Sequence, residues 1–225
     1  MTAGNLLRAV IFDMDGVLTD SEPAFHAAVN DILGRYREHI SLDEYKRFIG
    51  METPKMWAHV IELKHVPATV EEIVGEYEAP LMERLREPRP PISGARELLD
   101  ELRSRGLPIG LCTASYARWT DVILAAADLP EVFDAKVTGD VITRAKPDPE
   151  PYLLAASMLN VPPEECLVIE DSVSGVTSAL AAGAVVVQLR ATSTAAPPMA
   201  GVERVIERLA DFPMELLLDA VPREG

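Results

Sequence analysis

The sequence predicts an α/β fold: a doubly wound parallel sheet with an inserted all-helical module. Three observations carry that reading. Short continuous apolar runs, Ala9-Val10-Ile11-Phe12 and Val185-Val186-Val187 among them, fit strands buried on both faces. Beyond residue 95 such runs alternate with helical patterns, which implies βαβ units. Far more chain separates the first two strands than the dozen or so residues that a crossover needs, so the excess is an insertion.

The first strand, residues 9–12, stops at Asp13-Met14-Asp15-Gly16. Residues 20–88 form the helical module, and residues 1–19 with 89–225 form the sheet domain. Inside the module, Ser41-Leu42-Asp43-Glu44 and Thr69-Val70-Glu71-Glu72 each fit a capping box, in which the first and fourth side chains cap each other's amides. Val70, Ile73, Val74 and Tyr77 then recur at helical spacing. Trp57, Phe48 and Tyr45 read as the core of the module, and the Glu-rich stretch 71–83 as a solvated helix face. Pro88-Arg89-Pro90-Pro91 closes the module as a stiff linker, with hinges expected at residues 19–23 and 87–91. A helix at 95–105 leads to a strand at 108–112, and one at 119–127 to a strand at 135–137. A helix at 152–159 leads to a strand at 167–169, and one through 179–182 to a strand at 185–187. Residues 195–200, rich in Ala and Pro, read as a surface loop.

Composition narrows the function. The 225 residues carry 21 Lys and Arg against 36 Asp and Glu, a formal net charge of −15. So acidic a surface repels nucleic acid and anionic lipid, and a phosphate-bearing substrate then requires a local cation to override the field. Cys112 and Cys166 sit in apolar runs without paired spacing, as buried thiols of a reducing compartment do. His26, His39, His59 and His65 lack metal-ligand spacing. No stretch approaches the roughly 20 apolar residues that span a bilayer, and residues 1–5 do not resemble a signal peptide. A cytoplasmic monomer is the expectation.

In a parallel α/β sheet, ligands bind beyond the carboxyl ends of the strands. After the first strand come Asp13 and Asp15; after the second, Thr113 with Ala114 and Ser115. Lys146 lies beyond the third, in Ala145-Lys146-Pro147-Asp148-Pro149, and Glu170, Asp171 and Ser172 follow the fourth. Each has a plain reading alone: Asp-x-Asp as a turn, Thr113 as a helix cap, Lys146 as a surface lysine. Four strand ends delivering polar groups to one edge is a different matter. Carboxylates crowded from two strands push one another's pKa up unless a cation joins them. Mg²⁺, held by carboxylate and carbonyl oxygens, fits and reconciles the acidic chain with a phosphate substrate. One carboxylate can then attack phosphorus to give an aspartyl-phosphate. The other, two residues on, can protonate the leaving oxygen and later activate water. Lys146 and the Thr113 hydroxyl offset charge on the phosphoryl group.

These motifs, Asp13-Met14-Asp15-Gly16-Val17-Leu18-Thr19-Asp20-Ser21-Glu22, Thr113, Lys146-Pro147-Asp148, and Glu170-Asp171-Ser172 with Gly175, resemble the haloacid dehalogenase superfamily of phosphotransferases. The branch is that of β-phosphoglucomutase and small sugar-phosphate phosphatases, and the resemblance covers essentially the whole chain. It implies a Rossmann-like core with a helical cap that sets selectivity, Mg²⁺ as cofactor, and a small phosphorylated metabolite as partner. It implies Asp13 as nucleophile and metal ligand, and Asp15 as acid/base with its carbonyl on the metal. Thr113, Ala114 and Lys146 become the phosphate ligands. Asp171 with Glu170 completes the metal site, Glu170 either binding the ion or orienting a ligand from behind. Members that cleave carbon–halogen bonds lack the second aspartate, which is present here as Asp15. Mutases of this branch carry a His where this sequence places Phe25, with His26 one residue off. They also carry an Arg after a Gly where it reads Gly50-Met51-Glu52-Thr53. Both departures point to a phosphatase, with a phosphomutase as the alternative. A receiver-type phospho-switch shares the Asp, Thr, Lys and magnesium but lacks the large cap and Asp15.

Overall fold

The computed structural model describes residues 7–192 and 195–217. The expectation for residues 1–5 lies outside the described residues. Six parallel strands form one sheet: β1 (Ala9–Phe12), β2 (Ile109–Cys112), β3 (Ala135–Val137), β4 (Cys166–Glu170), β5 (Val185–Leu189) and β6 (Arg204–Ile206), in the order β3-β2-β1-β4-β5-β6. Among the described residues eight α-helices accompany them: α1 (Glu22–Arg35), α2 (Leu42–Tyr45), α3 (Thr53–Lys64), α4 (Val70–Arg86), α5 (Ala95–Ser104), α6 (Ala117–Ala126), α7 (Glu150–Leu159) and α8 (Val173–Ala181). The doubly wound parallel sheet read from the sequence is the observed architecture. Among the described residues, no helix is long and apolar enough to cross a membrane.

Every residue of β1, β2 and β4 is buried, the consequence of covering both faces of a parallel sheet. β1 lies between β2 and β4, with Phe12 opposite Leu111 on one side and Ile169 on the other. The chain winds outward from β1 to β3, then resumes on the other flank at β4. That reversal makes the carboxyl ends of β1 and β4 the topological switch point, where ligands of open α/β sheets bind.

The chain divides into two compact units, and Ser21–Pro88 is the helical one. Both capping boxes form: Ser41 Oγ accepts from Glu44 N at 3.3 Å while Glu44 Oε2 accepts from Ser41 N at 2.8 Å. The Thr69–Glu72 pair repeats the pattern at 3.2 and 2.8 Å. In α4, Ile73, Tyr77, Leu81 and Leu85 recur every fourth residue and are all buried, which lays one stripe against α1. A forked ion pair from Arg84 to Asp31 at 2.8 and 2.9 Å joins the same two helices at their edge. Trp57, Tyr45 and Phe48 are buried, the core positions expected of them. In the sheet unit, the segments leaving and re-entering it are stitched together by a Thr19–Pro91 bridge and an Ile92 N–H to the Leu18 carbonyl at 2.9 Å.

Two local readings change. β6 was not anticipated: among the described residues it is a short edge strand paired with β5 alone, its first residue Arg204 exposed. The segment expected as a plain surface loop at 195–200 is pinned from inside. Gln188, fully buried in β5, donates through Nε2 to the Ala196 and Pro197 carbonyls at 3.1 and 3.0 Å and accepts from Met199 N at 2.9 Å. Buried amides must find partners, and this one finds them in the loop.

Candidate active site

Asp13 follows β1 directly, and its N–H donates to the Ile169 carbonyl at 3.0 Å. The ladder therefore runs one residue past the strand and fixes the Asp13 backbone against β4. Thr113 is held likewise on the other flank, its N–H bonded to the Val137 carbonyl at 2.9 Å. The Thr113 Oγ1 accepts from Ser115 N at 3.1 Å, and Gly139 N bonds the Ser115 carbonyl at 2.9 Å. That turn leaves Ala114 exposed and Thr113 buried. Asp15 is half-buried beyond the strand end, with the Ser115 hydroxyl 3.5 Å from its Oδ2.

Lys146 comes from the loop after β3, across a cis Lys146–Pro147 peptide. Its loop is tied to α8 by the Ser178 hydroxyl, which donates to the Asp148 carbonyl at 2.6 Å. The ammonium reaches Asp13 Oδ1 at 2.6 Å, Glu170 Oε1 at 2.7 Å, and the Cys112 carbonyl and Tyr152 hydroxyl at 3.0 Å each. Glu170 is fully buried. Its Oε1 also accepts from Tyr152 at 2.8 Å, and its Oε2 from Asp171 N, Ser172 N and Ser172 Oγ at 3.0 to 3.1 Å. The structure thus brings Asp13, Lys146, Glu170 and Asp171 together, and places Asp15 and Thr113 at the same sheet edge.

The charges do not balance. Burial pushes the Asp13 carboxyl well above its usual range; Lys146 opposes this, while Glu170 and Asp171 reinforce it. Asp171 is raised to about 8 by burial, then by the charges of Glu170 and Asp15. For Glu170 burial also works upward, but Lys146 and the Ser172 and Tyr152 hydrogen bonds outweigh it and hold the group low. Burial alone would depress Lys146, yet Asp13 and Glu170 keep it well above its ordinary value. One ammonium therefore serves a cluster in which Asp13, Glu170 and Asp171 each offer an oxygen within 4.8 Å of the others. A second cation at Asp13 and Asp171 would relieve both, so the residues fit a hard divalent ion.

Two glycines make room for these carboxylates. A Cβ on Gly16, whose φ is +84°, would fall 2.0 Å from Asp171 Oδ2. A Cβ on Gly175 would fall 1.6 Å from Glu170 Oε1. Gly175→Ala must therefore expel the buried carboxylate from its donors, and breaking a buried ion pair costs about 3 kcal/mol or more. We expect that loss in a thermal or urea melt, together with a fall in turnover. Unchanged melting would mean that the carboxylate has room to shift.

The family model for haloacid dehalogenase-like hydrolases matches residues 7–183. The chain belongs to this family. The hydrolase is 36% identical to the phosphorylated carbohydrates phosphatase of Thermotoga maritima over 180 residues, 79% of this chain and 82% of that protein. It is 30% identical to β-phosphoglucomutase of Bacillus subtilis over 220 residues, 94% of each. The crystal structure of CbbY from Rhodobacter sphaeroides shares its fold, with a TM-score of 0.83 at 22% identity, over 95% of this chain and all of that one. Family and phosphatase relatives together make this chain an enzyme of the phosphatase type.

Sequence reasoning about this hydrolase missed Tyr152. The residue read only as part of a helix, and no motif or spacing marks it. It lies in the first turn of α7, and helix packing turns its hydroxyl onto Lys146 and Glu170. The Cys112 carbonyl is a second unanticipated partner, invisible to any reading of side chains. The Cys112 and Cys166 thiols are free and buried, and burial raises each to about 12, so neither is a nucleophile at neutral pH.

Proposed function

We propose that the chain is a Mg²⁺-dependent phosphatase of small phosphate monoesters, sugar phosphates foremost, working through an aspartyl-phosphate on Asp13. The observation that carries this is the buried Asp13 carboxylate 2.6 Å from the Lys146 ammonium at the switch point, with a second aspartate two residues on. Asp13 attacks phosphorus, in line with the departing alcohol. Asp15 gives that alcohol its proton, then takes one from the water that hydrolyses the intermediate. Lys146, the Thr113 hydroxyl and the Ala114 main chain receive the phosphoryl oxygens. Asp13, Asp171 and the Asp15 carbonyl would hold the ion, while Glu170, its oxygens already taking five donors, steadies them from behind. When bound, the ion neutralises phosphate charge that the acidic protein would otherwise repel. The relative named for phosphorylated carbohydrates supports the substrate class.

The mutase alternative draws on the 30% identical β-phosphoglucomutase. Against it, His26 has its Nε2 2.8 Å from the Ile40 carbonyl within its own unit, a structural tie rather than a free acid or base. Phosphate release from a panel of sugar phosphates and other small monoesters, with Mg²⁺ and with chelator, separates the two. The phosphatase releases phosphate only with Mg²⁺. Glucose 6-phosphate formed from β-glucose 1-phosphate without phosphate release would make the enzyme a mutase.

The raised Asp171 sets a pH dependence. Its folded pKa of about 8 exceeds the ordinary 3.8, so between those values the folded metal-free protein holds a proton that the unfolded chain has shed. Stability of the metal-free protein then falls as pH rises through that window. Mg²⁺ must displace the same proton, so its affinity climbs toward pH 8 and levels off above it. Melting in chelator should occur at lower temperature at pH 8 than at pH 6, and added Mg²⁺ should restore more at pH 8. A Mg²⁺ shift of equal size at both pH values would contradict this.

A further inference from the structure

The Lys146 ammonium has more acceptors than protons. Asp13 Oδ1, Glu170 Oε1, the Cys112 carbonyl and the Tyr152 hydroxyl all stand between 2.6 and 3.0 Å from it, whereas an ammonium has three donors. Tyr152 spends its own proton on Glu170 Oε1 at 2.8 Å, so it turns a lone pair toward Lys146. Glu170 Oε1 thereby receives two donors at once. Glu170 Oε2 is held separately by Asp171 N, Ser172 N and Ser172 Oγ. The Tyr152 ring is buried in the core beside Ile11, Cys112, Val137 and Val168, with Lys146 Nζ 4.8 Å from its centroid. Packing therefore fixes the hydroxyl where it is.

In the reaction proposed above, Lys146 must donate a hydrogen bond to a phosphoryl oxygen, and its three N–H donors are already committed. Withdrawing one from Glu170 would strand a fully buried carboxylate oxygen, a heavy penalty unless another donor is in place. We propose that Tyr152 is a positioning residue: its hydroxyl keeps Glu170 Oε1 satisfied when Lys146 turns one ammonium proton to the phosphoryl group. Tyr152 itself does not touch the substrate. The inference rests on the phosphatase reading, which it deepens.

Tyr152→Phe keeps the ring and removes the hydroxyl. The experiment measures kcat and KM for the best substrate of the panel, calorimetric binding of inorganic phosphate with Mg²⁺ present, and Tm. Losing a hydrogen bond to a charged group should lower both kcat and phosphate affinity about tenfold, with Tm little changed. A merely structural role would lower Tm and the folded fraction but leave the phosphate affinity of folded molecules as in wild type. That result overturns the proposal, as would a variant that fails to fold or one with wild-type kcat and affinity. A wild-type protein that neither hydrolyses a monoester nor binds phosphate would sink the phosphatase reading first, and this role with it. An active wild type matched by the variant sinks the Tyr152 role alone.

Discussion

Asp13→Asn is expected to abolish turnover, by a factor on the order of 10⁴ or more, the scale seen when a nucleophile is removed. The amide oxygen is too weak a nucleophile to attack phosphorus. The fold should survive. An asparagine still offers the oxygen that Lys146 approaches at 2.6 Å, and it removes a carboxylate that burial and the Glu170 and Asp171 charges already disfavour. In chelator the variant should melt at or above the wild-type temperature. Initial rates beside a melting curve check both halves. Wild-type activity in Asp13→Asn would mean that another group attacks phosphorus.

Lys146→Met injures stability and catalysis together. The Lys146 side chain is 8% exposed and bridges Asp13 and Glu170, so the variant leaves two carboxylates in the interior without their cation. Removing one partner of a buried ion pair costs about 3–5 kcal/mol. If Lys146 receives the phosphoryl group as proposed, its loss is expected to lower kcat by about 10²–10³. Arginine should not rescue it, since a planar guanidinium cannot occupy the space of a compact ammonium among four acceptors. Denaturant melts and kcat measured on folded protein separate the two effects. Turnover within a few-fold of wild type would remove Lys146 from the chemistry.

Much of this was legible in the chain because parallel-sheet strands are written plainly. Ala9–Phe12 and Val185–Leu189 read as strands because both faces are covered, and the polarity change at Asp13 marks a strand end as clearly as a turn would. Once the strands are placed, topology collects Asp13, Thr113, Lys146 and Asp171 on one edge without further information. β6 escaped because Arg204-Val205-Ile206 is three residues long and half solvated, so no apolar run announces it. The start of α7 was hidden by Pro149-Glu150-Pro151, which reads as a loop. Proline is nonetheless suited to the first helical turn, where an N–H would be unpaired anyway, and the helix begins at Glu150. Tyr152 and Gln188 were illegible for a different reason. Their functions lie in where packing aims one hydroxyl and one amide, and sequence spacing carries no such aim.

The most direct test of the account is to quench the enzyme with acid during turnover of its best substrate and look for a phosphoryl adduct by peptide mass spectrometry. The adduct is expected on the peptide bearing Asp13, formed with Mg²⁺, absent with chelator and absent in Asp13→Asn. Steady turnover with no adduct on that peptide, or an adduct that persists in Asp13→Asn, would contradict it.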